Sequence, residues 1–145
     1  IVETEAYFGE DDPASRASKG ENKVSKMMRE KAGKILIYNV HRFKMLNFVT
    51  GSEGEPSAVL IRAIEPLNFK ARTAGPGLLT SALKIDDSFH GKHQHIDNLL
   101  WVEDEENKEN LKVERSFRIG VREDLNIPLR FYIKGNKFVS KTSKK

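Results

Sequence analysis

An α+β fold is what the sequence predicts: a curved, mostly antiparallel β-sheet with a protruding hairpin and a few short helices. Three observations lead there. Short segments rich in β-branched and aromatic residues recur along the chain, separated by clusters of Gly, Pro, Asn and Ser. Helical patterns are few and brief, and they do not alternate with the strands as a parallel α/β sheet requires. Finally, 145 residues with 38% hydrophobic and 32% charged side chains suit one core, so a single domain over residues 1–145 is expected.

The elements follow in order. Ile1 to Tyr7 alternates in character and reads as a strand. Asp11 to Gly20 carries the turn chemistry of a loop, and Lys23 to Lys31 suits a short basic helix. Lys34–Val40 and Lys44–Thr50 form a predicted hairpin about His41-Arg42. After a turn at Gly51–Pro56, Ser57 to Ile64 is apolar enough for a central strand, ended by Glu65-Pro66. Gly75-Pro76-Gly77 opens a helical run from Leu78 to Ile85. Further strands are expected at Asn98–Val102, Val113–Val121, Leu129–Ile133 and Phe138–Ser140, with a frayed tail at Lys141–Lys145. The chain starts at Ile1 inside a strand pattern, without an initiator Met, which points to a processed or shortened N-terminus.

The net charge of +4 is unevenly spread. Ile1–Asn22 holds six acids and two bases, Lys23–Lys44 seven bases and one acid, and Arg130–Lys145 six bases and no acid. Basic blocks flanking an acidic entry suit a polyanion, although ordinary surface solubilisation gives the same totals. Glu103–Glu109, with five acids and one base, reads as a solvated loop. No apolar run is long enough to span a bilayer, and no signal peptide precedes the first strand. With zero cysteines there is no disulfide, thiolate ligand or cysteine nucleophile. An intracellular monomer without membrane contact or cofactor is expected. The histidines of His90-Gly91-Lys92-His93-Gln94-His95 lie in one continuous polar loop, unlike the spaced ligands of a zinc site, so no metal site is assigned.

Three places carry potential chemistry. Glu3, Glu5 and Tyr7 share one face of the first strand, either as a solvated edge or as carboxylates beside an aromatic platform. Arg62 interrupts an apolar strand, with Leu60 and Ile64 on its face, and needs a carboxylate or a polar cavity. Asn47 sits among apolar neighbours in Met45–Val49 and equally needs a partner. Carboxylate, arginine, amide and tyrosines together would make a purine pocket.

These residues resemble the alkyladenine (3-methyladenine) DNA glycosylases. The likeness rests on Ile1-Val2-Glu3-Thr4-Glu5-Ala6-Tyr7, Val59-Leu60-Ile61-Arg62-Ala63-Ile64-Glu65-Pro66-Leu67, Gly75-Pro76-Gly77, Arg118-Ile119-Gly120-Val121 and Pro128-Leu129-Arg130-Phe131-Tyr132-Ile133. The motifs keep the family's order over nearly the whole chain, and family members carry a further stretch before the first of them. The resemblance implies a monofunctional enzyme that flips damaged purines, alkylated or deaminated as in hypoxanthine, out of duplex DNA and hydrolyses the N-glycosidic bond. Glu5 then matches the general base, Arg62 the arginine holding the attacking water, and the Ile133 carbonyl a further contact to that water. Tyr7 and Tyr38 match the rings that sandwich the base, and Asn47 the amide that crowds guanine's exocyclic amine. His41 falls where the family fills the gap left in the stack, beside Arg42 as a DNA contact. Arg16 stands where the family usually places a base-binding histidine, and Leu78 where a lysine usually follows Gly-Pro-Gly. Two other readings stay open: a Mg-dependent nuclease using Glu3, Glu5, Asp11 and Asp12, and a catalytically silent DNA-damage binder.

Overall fold

The structure, a computed structural model, describes residues 1–104 and 111–141, and its strands join into one six-stranded sheet. The strands are β1 (Glu3–Phe8), β2 (Ile35–Val40), β3 (Phe43–Val49), β4 (Ser57–Ala63), β5 (Val113–Ser116) and β6 (Arg130–Ile133). They lie in the order β2-β3-β4-β1-β6-β5, every neighbouring pair antiparallel. With the short helices α1 (Lys23–Met27) and α2 (Pro76–Ala82), this is the expected α+β class. Most of the acidic run ending at Glu109, and all of the tail after Lys141, lie outside the described residues.

The register sorts side chains onto two faces. On one, Ile35, Ile37, Leu46 and Ile61 bury themselves with Leu79 of α2 and Ile85. On the other, Leu36, Val49 and Ala58 pack with Met28 and Ala17 from the segment between β1 and β2. Both faces are therefore covered, which explains why β4 has a nearly continuous apolar run. The hairpin joins β2 to β3 by a two-residue turn, with Val40 opposite Phe43 and His41 at φ 53°. The outer edge of β2 is covered by residues 90–92: Gly91 N–H donates to Ile35 O, Ile35 N–H to Lys92 O, and Ile37 N–H to Nδ1 of His90. One histidine of the polar loop thus serves as a backbone acceptor.

Several expected elements differ. Asn98–Val102 is not a strand, because local groups satisfy its backbone: Asn98 and Leu99 N–H donate to the carbonyls of His95 and Ile96, and Gln94 Oε1 accepts from Val102 N–H, while Leu99 turns to φ 60°. The strand expected at Val113–Val121 ends at Ser116, where Arg118 N–H turns away to Asp124. Phe138–Ser140 is not a strand either; Asn136 Oδ1 accepts from Phe138 N–H and Glu3 from Ser140 N–H. Both helices are shorter than or offset from their predicted spans, and Arg16–Lys19 forms a 3-10 turn within the expected loop.

Helix α2 approaches β3 so closely that a Cβ on Gly77 would lie 2.6 Å from Cγ of Phe43. Helix propensity alone favours alanine there by about 1 kcal/mol, but forcing a methyl into a packed ring costs about 1–3 kcal/mol. Gly77→Ala is therefore expected to lower the urea midpoint of unfolding. A raised midpoint would contradict the close approach.

Candidate active site

One row of directly paired residues crosses the sheet: Leu36, Asn47, Leu60, Glu5 and Arg130, on β2, β3, β4, β1 and β6. Asn47 and Glu5 are two strands apart, roughly 10 Å at ordinary strand spacing. Tyr7 and Tyr38 stand two residues beyond Glu5 and Leu36 and so share the same face. The register between β1 and β4 shifts after Glu3, which faces Ala63, to Thr4, which faces Ile61. Arg62 is the unpaired residue of this bulge, a device that re-aims a side chain.

Glu3 and Glu5 are closed off, at 1% and 0% exposure, because β1 is central rather than an edge. The solvated-edge alternative is thereby overturned. Arg62 answers both acids, donating from Nε to Glu3 at 2.9 Å and from Nη1 to Glu5 at 3.3 Å. Glu5 Oε2 also accepts from the Tyr7 hydroxyl at 2.7 Å, and Oε1 from the Ile119 amide at 2.7 Å. Burial first, then the Glu5 carboxylate, pushes the Tyr7 phenol far up, so its hydroxyl stays a donor. Burial likewise raises Tyr38.

In front of this carboxylate lies a cleft of about 790 Å³, lined by Tyr7, Arg16, Tyr38, Arg62 and Ile119 among others. That volume is within the range of small-molecule sites, about 300–1,000 Å³. Three of these groups, Tyr7, Arg62 and Ile119, are hydrogen-bonded to the buried Glu5. Asn47 lines a small neighbouring void with Tyr7, Arg16 and Tyr38, its amide nitrogen donating to Met45 O at 3.1 Å and Leu36 O at 3.4 Å. The Arg16 guanidinium stands 4.8 Å from the centroid of Tyr38. His41 and Arg42 are exposed at the hairpin turn, with Arg42 over the ring of Phe43.

Ile133 is not brought to Glu5. Glu5 pairs with Arg130, three residues earlier, and the Ile133 carbonyl accepts from Asn136 N–H at 3.2 Å. The main chain that reaches Glu5 is instead that of Ile119, in a segment that reads as a strand by composition; Gly120, at φ 78°, was the available signal that it turns.

Two further clusters escaped sequence reasoning. Glu3 also accepts from Arg130 Nε at 2.7 Å and from the Ser140 amide and hydroxyl. Arg118, fully buried, makes paired bonds to Asp12 at 2.7 Å, bonds to Asp124, donates to Ala6 O and stacks 4.5 Å over Tyr7. Glu3, Glu5 and Asp12 are thus all engaged by guanidinium groups, which removes them as a ready divalent-cation cradle and weakens the nuclease alternative.

The comparisons with known proteins agree in direction. Residues 1–137 match the family model described as methylpurine-DNA glycosylase. A protein of Aeropyrum pernix is 44% identical over 146 aligned positions, covering 97% of this chain and 75% of its own length. One from Legionella pneumophila strain Corby is 41% identical, covering 98% and 80%, and one from Listeria welshimeri is 39% identical, covering 97% and 75%. Each carries a provisional name, 3-methyladenine DNA glycosylase.

The buried acids also set an acid limit to stability. Burial raises Glu3 and Asp12, but Arg130 and Ser140 about the first, and Arg118 about the second, more than reverse this, leaving both below their ordinary values of 4.5 and 3.8. A depressed folded value means the contribution is full above the unfolded value and disappears as pH falls through the folded one. The urea midpoint is therefore expected to be flat above about pH 5 and to fall steeply below about pH 4. Glu3→Gln should be less stable at neutral pH and show a shallower acid decline; an unchanged slope would refute the role of Glu3.

Proposed function

The chain belongs to the methylpurine-DNA glycosylase family and is a DNA-repair glycosylase of base excision, and on that premise we propose how its cleft works. It acts as one monomeric domain inside the cell, on duplex DNA carrying damaged purines, alkylated or deaminated. The lesion is rotated out of the stack, because its C1′ is unreachable inside the duplex, at a cost of a few kcal/mol that damaged pairs reduce. His41 at the hairpin turn fills the gap and Arg42 contacts the backbone, supported by their exposure at the tip. The base stacks between Tyr7 and Tyr38, Arg16 meets its edge, and Asn47 crowds the exocyclic amine of normal guanine.

The observation that carries this reading is the Glu5 carboxylate, buried behind the cleft and oriented by Arg62, Tyr7 and the Ile119 amide. Oε1 accepts from Ile119 alone among the described residues, and a carboxylate oxygen has a second lone pair for a water. In the reaction, that water attacks C1′ as the N-glycosidic bond breaks with oxocarbenium character. Its proton passes to Glu5, its oxygen bonds to C1′, and the base leaves with the bonding pair. Arg62, beside Glu5 and lining the cleft, holds the water. An N-alkylated purine is already a cationic leaving group, whereas hypoxanthine needs a proton for which the cleft offers no evident donor.

Three outcomes test this. Glu5→Gln should keep lesion binding and lose base release by about 10²–10⁴-fold, measured as alkali-labile sites in a lesion-bearing duplex; release at the wild-type rate would sink the assignment. Activity should persist in EDTA, where a nuclease reading requires its loss. Under single-turnover conditions a cationic lesion such as 7-methylguanine should react faster than hypoxanthine; equal rates would mean that an acid has been missed.

A further inference from the structure

Arg16 differs from the three buried arginines of the site in having no acidic partner among the described residues. Arg62, Arg118 and Arg130 are each bonded to carboxylates, while Arg16 forms no ion pair among the described residues and lies over the Tyr38 ring. Its backbone is held on both sides: Ser15 Oγ accepts from Ala17 N–H at 3.2 Å, Ser18 Oγ donates to Ser15 O at 2.9 Å, and Ser15 and Ala17 are buried. The guanidinium can pivot, but its attachment keeps it over the pocket. Around it the cleft lining adds Lys19 and Arg122 against a single carboxylate, Glu123. The mouth of the site therefore carries uncompensated positive charge.

Granting the reading that a purine enters between Tyr7 and Tyr38, the base must displace this guanidinium from the ring face. We propose that Arg16 is a specificity-determining residue that favours binding of neutral purine lesions presenting an acceptor, such as the 6-oxo group of hypoxanthine, over cationic N-alkylated purines. A guanidinium only donates hydrogen bonds and does not lose its charge, so an acceptor on the base replaces the contact given up on Tyr38. A base with delocalised positive charge offers the displaced cation repulsion instead, strengthened as closure of the pocket removes water. Binding and bond cleavage then rank lesions in opposite orders, because the leaving group that departs most easily is the one bound less tightly.

The test is equilibrium binding in a Glu5→Gln background, using duplexes that contain hypoxanthine, 7-methylguanine or no lesion. Hypoxanthine is expected to bind about tenfold more tightly than 7-methylguanine. Adding Arg16→Gln, which removes the charge, should bring the two lesions within about twofold of each other, whereas Arg16→Lys should keep the weaker binding of the cationic lesion. A preference that survives Arg16→Gln unchanged, or tighter binding of 7-methylguanine with Arg16 intact, overturns the proposal. Equal binding of all three duplexes overturns the pocket reading beneath it as well, and normal base release in the Glu5→Gln background overturns Glu5 as base without touching the binding comparison.

Discussion

Two carboxylates on the central strand of a covered sheet are the constraint from which the site is built. Glu3 and Glu5 lie on β1 between β4 and β6, where water is excluded. A buried charge without a partner costs several kcal/mol, so each neighbouring strand supplies a guanidinium, Arg62 from β4 and Arg130 from β6. The bulge at Arg62 lets one arginine span both acids. Such networks contribute little net stability compared with an apolar core, but removing one member strands the others. Their effect here is orientation: Glu5 is held by three donors from three parts of the chain.

The same logic extends outward through Arg118. It ties Asp12, in the segment that carries Arg16, to Asp124 and to the β1 carbonyl of Ala6, and it stacks on Tyr7. The next residue gives its amide to Glu5. The walls of the cleft and the carboxylate behind it are therefore coupled by one buried side chain. Within this neutralised frame the exposed Arg16 has no acidic partner among the described residues, and its charge stands at the cleft over the ring of Tyr38.

Much of this was legible locally. Alternation placed Glu5 and Tyr7 on one face, and an arginine inside an apolar run announced a buried partner. The hairpin followed from two aromatic strands around a polar pair, although His41 takes a left-handed conformation usually left to glycine. Asn98–Val102 and Phe138–Ser140 failed because strand-like composition says nothing about whether a partner strand is present. Local groups took the donors that a neighbour would have used: Gln94 and Asn136 side chains accept from Val102 and Phe138 N–H, and nearby carbonyls from Asn98 and Leu99 N–H.

The sequence by itself determined the α+β class, the cleft's principal residues and, through the order of its motifs, the family. These depend on short-range periodicity and residue type, which act within a few positions of the chain. Only the tertiary structure decided that β1 is central, that Glu3 is a buried hub, and that Ile119 rather than Ile133 reaches Glu5. Those contacts join residues 59 to 137 positions apart. Which distant groups meet is set by strand order and by the need to satisfy every buried charge at once, and no local pattern encodes that.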